Sequence, residues 1–234
     1  MTVAAILLFS TTESALADAA RRPAVRRMVE SAWAGGATPI VVVSSDEGGQ
    51  VAAALAGSPA VLAEPAPPAA GPVGQIVRGM RVASDQVRDT EGALVWPGRM
   101  VWVDAETVTT LIEASGVDRG ALLQPRYEDE PGWPVLIPMD LLPRLAALDA
   151  GRLPRELVED LAAGGAELRL IDTGDPGAVH DSSTAIDSMP DFEGPPKPLT
   201  SPPEWGAAAA DMGDEGPLQG PALAPYGQAT EEGE

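Results

Sequence analysis

The residues best placed to do chemistry lie between Pro97 and Asp104, where an apolar run, Ala93-Leu94-Val95-Trp96, is stopped by Pro97-Gly98 and followed by Arg99. Such a run reads as a strand covered on both faces in a parallel sheet. Open α/β sheets form their sites where strands end at the carboxyl side, so the turn after Trp96 is a candidate site. Its first charged side chain is a guanidinium, and no carboxylate follows until Asp104. A guanidinium binds phosphate directly and repels a divalent cation, so Arg99 reads either as a phosphate contact or as a solvent-facing turn arginine. Gly71 and Gly74 flank a second helix start, whose free backbone N–H groups suit an anion. The chain has no cysteine and a single histidine, His180. Disulfides, thiolate chemistry and a multi-histidine metal site within one chain are thereby excluded.

Alternating strands and helices must hold these residues in place. Residues 3–8, 39–43, 60–63, 93–96, 121–124, 132–137 and 166–171 carry strand-like apolar runs, 132–137 beginning with a turn. Between them, helical spacing recurs in Val25, Met28, Val29 and Ala32 after Pro23, over 50–55, and in Val73, Ile76, Val77, Met80 and Val82. Asp104 is a good N-cap, with Glu106 in the first turn of a helix that places Val108, Leu111 and Ile112 on one face. Residues 141–148 and 154–163 read as further helices, the second started by Pro154 and stopped by Gly164-Gly165. Residues 9–14 read as a polar loop, and the proline-rich stretch 64–71 cannot be helical throughout. This alternation predicts right-handed βαβ units and a mostly parallel sheet.

With 234 residues and 44% hydrophobic content the chain can bury a sizeable core, but only 4% is aromatic, so Ala, Val and Leu must build it. A net charge of -20 argues against nucleic-acid or anionic-membrane partners, which need clustered Lys and Arg. The N-terminal apolar run is too short to span a bilayer and lacks a preceding basic segment, so a cytoplasmic protein is expected. Residues 1–194 read as one domain. Residues 195–234, rich in Pro, Gly, Ala and acids, read as a disordered tail in which Trp205 is either incidental or a binding anchor.

Three strings in this order, ALVWPGRMVWVDAETVTTLI, QPRYEDEPGWPVLIPMDLLPRL and IDTGDPGAVHDSSTAID, resemble the MobA-like nucleotidyltransferases, particularly the molybdenum cofactor cytidylyltransferase and guanylyltransferase group. The resemblance covers residues 2–191 and implies a three-layer α/β/α Rossmann-like nucleotidyltransferase fold. It implies a reaction in which a molybdopterin phosphate attacks the α-phosphorus of a nucleoside triphosphate and releases pyrophosphate. Backbone amides, a basic residue and a carboxylate-held Mg²⁺ would serve that reaction. The sequence departs from the family at each of these parts. The glycine-rich basic loop expected after the first strand is here Leu8-Phe9-Ser10-Thr11-Thr12-Glu13-Ser14-Ala15, without glycine or basic residue. Arg21 and Arg22 would supply charge only if that loop folds back. Arg99 stands where the family carries its metal-binding aspartate. The family's DxDT-like motif matches Asp181-Ser182-Ser183-Thr184, with Ser183 in place of the second carboxylate, and Trp133 replaces the histidine of a GHPV-like string.

The resemblance thus implies Ser10, Thr11, Gln75, Arg78 and Arg99 as nucleotide contacts, and Arg99 and Asp181 as candidate catalytic residues. Asp104 and Asp181 are the candidate metal ligands. Trp133 either stacks on a base or pterin or packs in the core; His180 either acts as acid or base beside Asp181 or satisfies its local turn. Glu13 and Arg99, each just past a strand end, are placed to pair across the site. Three functions follow as alternatives. The first is a catalytically degenerate accessory, regulatory or nucleotide- or pterin-binding protein, with a protein partner of molybdenum-enzyme maturation and no cofactor. The second is an active nucleotidyltransferase using Mg²⁺. The third is a structural interaction module working through Trp133 or Trp205.

Overall fold

Period-two apolar runs separated by capped helices give, in a computed structural model that describes residues 2–196, a three-layer α/β/α arrangement. The strands are β1 Thr2–Leu8, β2 Ile40–Val43, β3 Ala60–Ala63, β4 Thr90–Pro97, β5 Leu122–Tyr127, β6 Glu130–Pro131, β7 Val135–Pro138 and β8 Leu168–Asp172. The helices are α1 Thr12–Leu16, α2 Ala24–Ala34, α3 Gln50–Leu55, α4 Gly71–Gln86, α5 Ala105–Val117, α6 Leu142–Leu145 and α7 Pro154–Ala163. Among the described residues the sheet order is β3-β2-β1-β4-β7-β5-β6, with β8 also paired to β5. Neighbours β3, β2, β1 and β4 are parallel, β7 runs antiparallel to both β4 and β5, and β8 is parallel to β5.

Alternation along the central strands sorts the core into two layers. Ala5 and Leu7, Ile40 and Val42, and Leu94 and Trp96 face α2, α3 and α5. Ala4 and Ile6, Val41 and Val43, and Ala93 and Val95 face α4, α6 and α7. Each large side chain so buried contributes about 1.5–3 kcal/mol. Gly79 brings α4 against the sheet, since a Cβ there would lie 2.2 Å from Ile6 Cγ2. On α4 the buried face is Val73, Ile76, Val77, Met80 and Ala83, while Val82 is only half-buried.

Two local expectations are corrected. Within 9–14, Thr11 and Ser14 form a reciprocal capping box, and α1 begins at Thr12 where a loop was expected. Residues 141–148 are not one helix: a 3₁₀ turn, Met139–Leu141, precedes the four-residue α6, whose Pro143 removes a backbone donor. The outermost strand β8 is exposed along most of its length and is pinned to β5 by Arg126, which donates to both Asp172 oxygens at 2.6 and 2.8 Å. Among the described residues no helix is long and apolar enough to cross a membrane. The expected tail, Trp205 included, lies outside the described residues from 197 onward.

Candidate functional site

Leu8 of β1 lies opposite Pro97 of β4, and the sheet continues toward β2 on one side and β7 on the other. Their carboxyl ends mark the point where strand order reverses, which leaves a crevice in an open α/β sheet. A cleft of about 840 Å³ opens there. The strand ends contribute Phe9, Ser10, Ser45, Gly98 and Arg99; the proline-rich segment and the start of α4 contribute Pro65, Pro68, Gly71 and Gln75. Trp133, before β7, and Leu153, Pro154 and Arg155, at the start of α7, complete it.

The turn carrying Arg99 is fixed mainly through its backbone. Gly98 N–H donates to the Leu8 carbonyl at 2.7 Å, Met100 N–H to that of Pro97 at 2.9 Å, and Ser182 N–H to that of Arg99 at 2.8 Å. Buried Trp96 closes the turn, its Nε1–H donating to the Met100 carbonyl at 2.8 Å. Gly98 is required because a Cβ would lie 2.4 Å from Phe9 Cδ1. The Arg99 side chain is exposed and, like that of Arg155, makes no hydrogen bond or close ion pair among the described residues.

Ser182 belongs to a strap, residues 175–184, that binds the turn to α5. Asp175 is 2% exposed. Its Oδ2 accepts from Asp104 N–H at 2.9 Å and from the Thr107 hydroxyl at 2.7 Å, and its Oδ1 from Gly177 N–H at 2.8 Å. Burial pushes the Asp175 carboxyl above its ordinary range, against the pull of these donors. Trp102 Nε1–H donates to the carbonyls of Asp181 and Thr184 at 3.2 and 3.1 Å, and Arg27 lies over its ring, 5.0 Å from the centroid. The Asp181 carboxylate accepts from the Ser183 N–H and hydroxyl at 2.9 and 2.6 Å. The Ser183 hydroxyl, then its N–H, then the charges of Arg99 and His180 hold Asp181 below the usual carboxylate range.

The structure therefore gathers Ser10, Gln75, Arg99 and Trp133 at one cleft and puts the other named residues elsewhere. Gln75 faces it with its amide engaged: Oε1 accepts from Ala66 N–H at 2.8 Å and Nε2 donates to the Ala66 carbonyl at 3.0 Å. Trp133 packs against both core layers, and its N–H donates to the Ala178 carbonyl at 2.8 Å. Thr11 caps α1, Arg78 donates to the Glu64 carbonyl at 3.2 Å, and Asp104 caps α5 by accepting from Glu106 N–H at 2.9 Å. His180 and Asp181 sit on the strap. Arg22 pairs with Glu30, and among the described residues no ion pair joins Glu13 to Arg99. Glu13 instead turns to its own N–H and the Thr11 hydroxyl at the start of α1, which lower its pKa. The cleft residue missed in the sequence is Arg155, one position after Pro154 at the start of α7. That helix was legible, but not the packing that turns its first residues toward the cleft.

A divalent cation needs several oxygen ligands, usually with a carboxylate among them. Among the described residues no carboxylate lines the cleft, Asp104 and Asp181 lie outside that lining with one oxygen of each accepting local bonds, and no group of three acidic, His or Cys residues suits a metal. The donor set does not fit Mg²⁺.

The three-layer α/β/α arrangement with its cleft at the β1/β4 reversal is a fold shared with nucleotidyltransferases of known structure. Residues 11–165 match the MobA-like NTP transferase domain, and the chain belongs to that family. Comparison with curated proteins finds none that matches. Among solved structures, the manganese complex of Rv0371c from Mycobacterium tuberculosis is 18% identical, covering 73% of this chain and 87% of that one, with a TM-score of 0.57. A nucleotidyl transferase from Methanothermobacter thermautotrophicus is 17% identical over 73% and 87% of the two chains, with a TM-score of 0.59. The 4-diphosphocytidyl-2C-methyl-D-erythritol synthase of Anaerococcus prevotii is 9% identical over 80% and 92%, with a TM-score of 0.62.

Proposed function

We propose that the chain is a catalytically degenerate MobA-like nucleotidyltransferase that holds a nucleotide or a pterin phosphate in its cleft and serves as an accessory or regulatory protein of molybdenum-enzyme maturation. The observation that carries this reading is the lining of the cleft, whose charged members among the described residues are Arg99 and Arg155, with no carboxylate. In a chain of net charge -20, a cleft lined among the described residues by two guanidiniums and no acid concentrates anions against the average field. Trp133, half-buried and sharing the lining with prolines 65 and 68, offers flat apolar surface to a base or pterin. The same lining lacks a carboxylate to hold the metal of a nucleotidyl transfer, and loss of one such electrostatic contributor costs on the order of a hundredfold in rate.

The test is incubation of the full-length protein with CTP, GTP or ATP, Mg²⁺ and a molybdopterin acceptor. Saturable ligand binding without pyrophosphate release above background is expected. Pyrophosphate release abolished by Asp181→Ala would overturn the degenerate reading, and absence of binding by every nucleotide and by the pterin would overturn the ligand reading.

A further inference from the structure

We infer that the cleft takes up the phosphates of a nucleoside triphosphate without a divalent cation, the guanidinium of Arg99 supplying the neutralising charge from a backbone fixed in advance. This rests on the nucleotide reading above and specifies its chemistry. Three relationships carry it.

The first is preorganisation. The Arg99 turn is tied to β1, to itself and to the strap by the Gly98, Met100 and Ser182 N–H groups, and is closed by Trp96. A charge whose backbone is already ordered loses less entropy on capturing a ligand than one on a free loop. The second is availability. Arg99 and Arg155 both line the cleft, and neither guanidinium is taken by a hydrogen bond or close ion pair among the described residues. Asp181, whose carboxylate feels the charge of Arg99, accepts from Ser183 through Oδ1 and makes no hydrogen bond or close ion pair with Arg99 among the described residues. Planar guanidiniums left free in this way match phosphate oxygens with two parallel donors.

The third is the absence, among the described lining residues, of a carboxylate for a cation to hold. A magnesium ion carried in on a triphosphate would face two positive side chains and no carboxylate oxygen among the described lining residues. It would also cancel part of the negative charge that the two arginines attract. The metal-free triphosphate is therefore the better ligand.

The experiment is calorimetric titration of the full-length protein with CTP, GTP and ATP, each in EDTA and again with excess Mg²⁺ or Mn²⁺. Binding in EDTA at least as tight as with metal is expected. Arg99→Ala should weaken it by about tenfold or more, the loss of a charge-assisted phosphate contact, and Arg99→Lys should keep part of it. Both variants retain the turn, because its bonds use the Arg99 carbonyl and not the side chain; circular dichroism checks this. Binding that requires metal would overturn the inference while leaving the nucleotide reading standing. Metal-free binding unaffected by Arg99→Ala would overturn the role of Arg99, and no binding in either buffer would overturn the nucleotide reading itself.

Discussion

The backbone N–H of Ser182 donates to the carbonyl of Arg99 at 2.8 Å, joining residues 83 positions apart and bringing the strap to the edge of the cleft. The strap is held in turn at Asp175, buried against α5, and at Trp102, whose indole donor it satisfies twice. Disturbance at either point should therefore reach Arg99 through the Ser182 bond.

Asp175→Ala leaves the Asp104 and Gly177 N–H groups and the Thr107 hydroxyl without their acceptor. The expected loss is about 2–4 kcal/mol of unfolding free energy, measured by urea denaturation. Because burial raises its folded pKa, folded Asp175 holds its proton to higher pH than the unfolded chain does. Its contribution to stability should accordingly fall as pH rises from about 4 through the raised value, and Asp175→Asn should remove that slope.

Asp181 carries the opposite sign. Its folded pKa is depressed, by Ser183 first and then by Arg99 and His180. The stability it contributes is present above the unfolded value and is lost as pH falls through the folded one. Below about pH 4 the strap is expected to loosen locally, seen as faster amide exchange at Ser183 relative to its intrinsic rate. Asp181→Asn should show no such acid transition.

Trp102→Phe removes one indole donor while keeping a ring under Arg27. The Asp181 and Thr184 carbonyls lose that partner, and a cost of about 1–2 kcal/mol is expected in urea unfolding. If the strap positions Arg99, triphosphate binding should weaken several-fold in the same variant. Unchanged affinity would mean that the turn holds itself.

Gln75→Leu tests the proline-rich wall, because both ends of the Gln75 amide hold Ala66. About 1–2 kcal/mol of stability should be lost with the two hydrogen bonds. Calorimetry should report weaker nucleotide binding, and an affinity equal to the wild type would assign Gln75 to the fold alone.

Much of the framework was legible because local physics writes it. The apolar run ending at Trp96, the Asp104 cap, the heptad-like face of α4 and the Pro154 helix start each depend on near neighbours in the chain. Elements of marginal length leave a weaker local signal. Thr11 and Ser14 nucleate a five-residue helix that has little apolar period to announce it, and Pro143 shortens α6.

The site divides along the same line. The sequence by itself determined that a guanidinium, and not a carboxylate, follows the central strand, and that no histidine or cysteine cluster could replace it. Only the tertiary structure decided which distant groups join Arg99. It put Arg155 at the same cleft, turned the Gln75 amide onto Ala66, and buried Asp175 outside the cleft lining. Those assignments depend on the packing of α7, α4 and the strap against the sheet, contacts between segments far apart in the chain that no local pattern encodes.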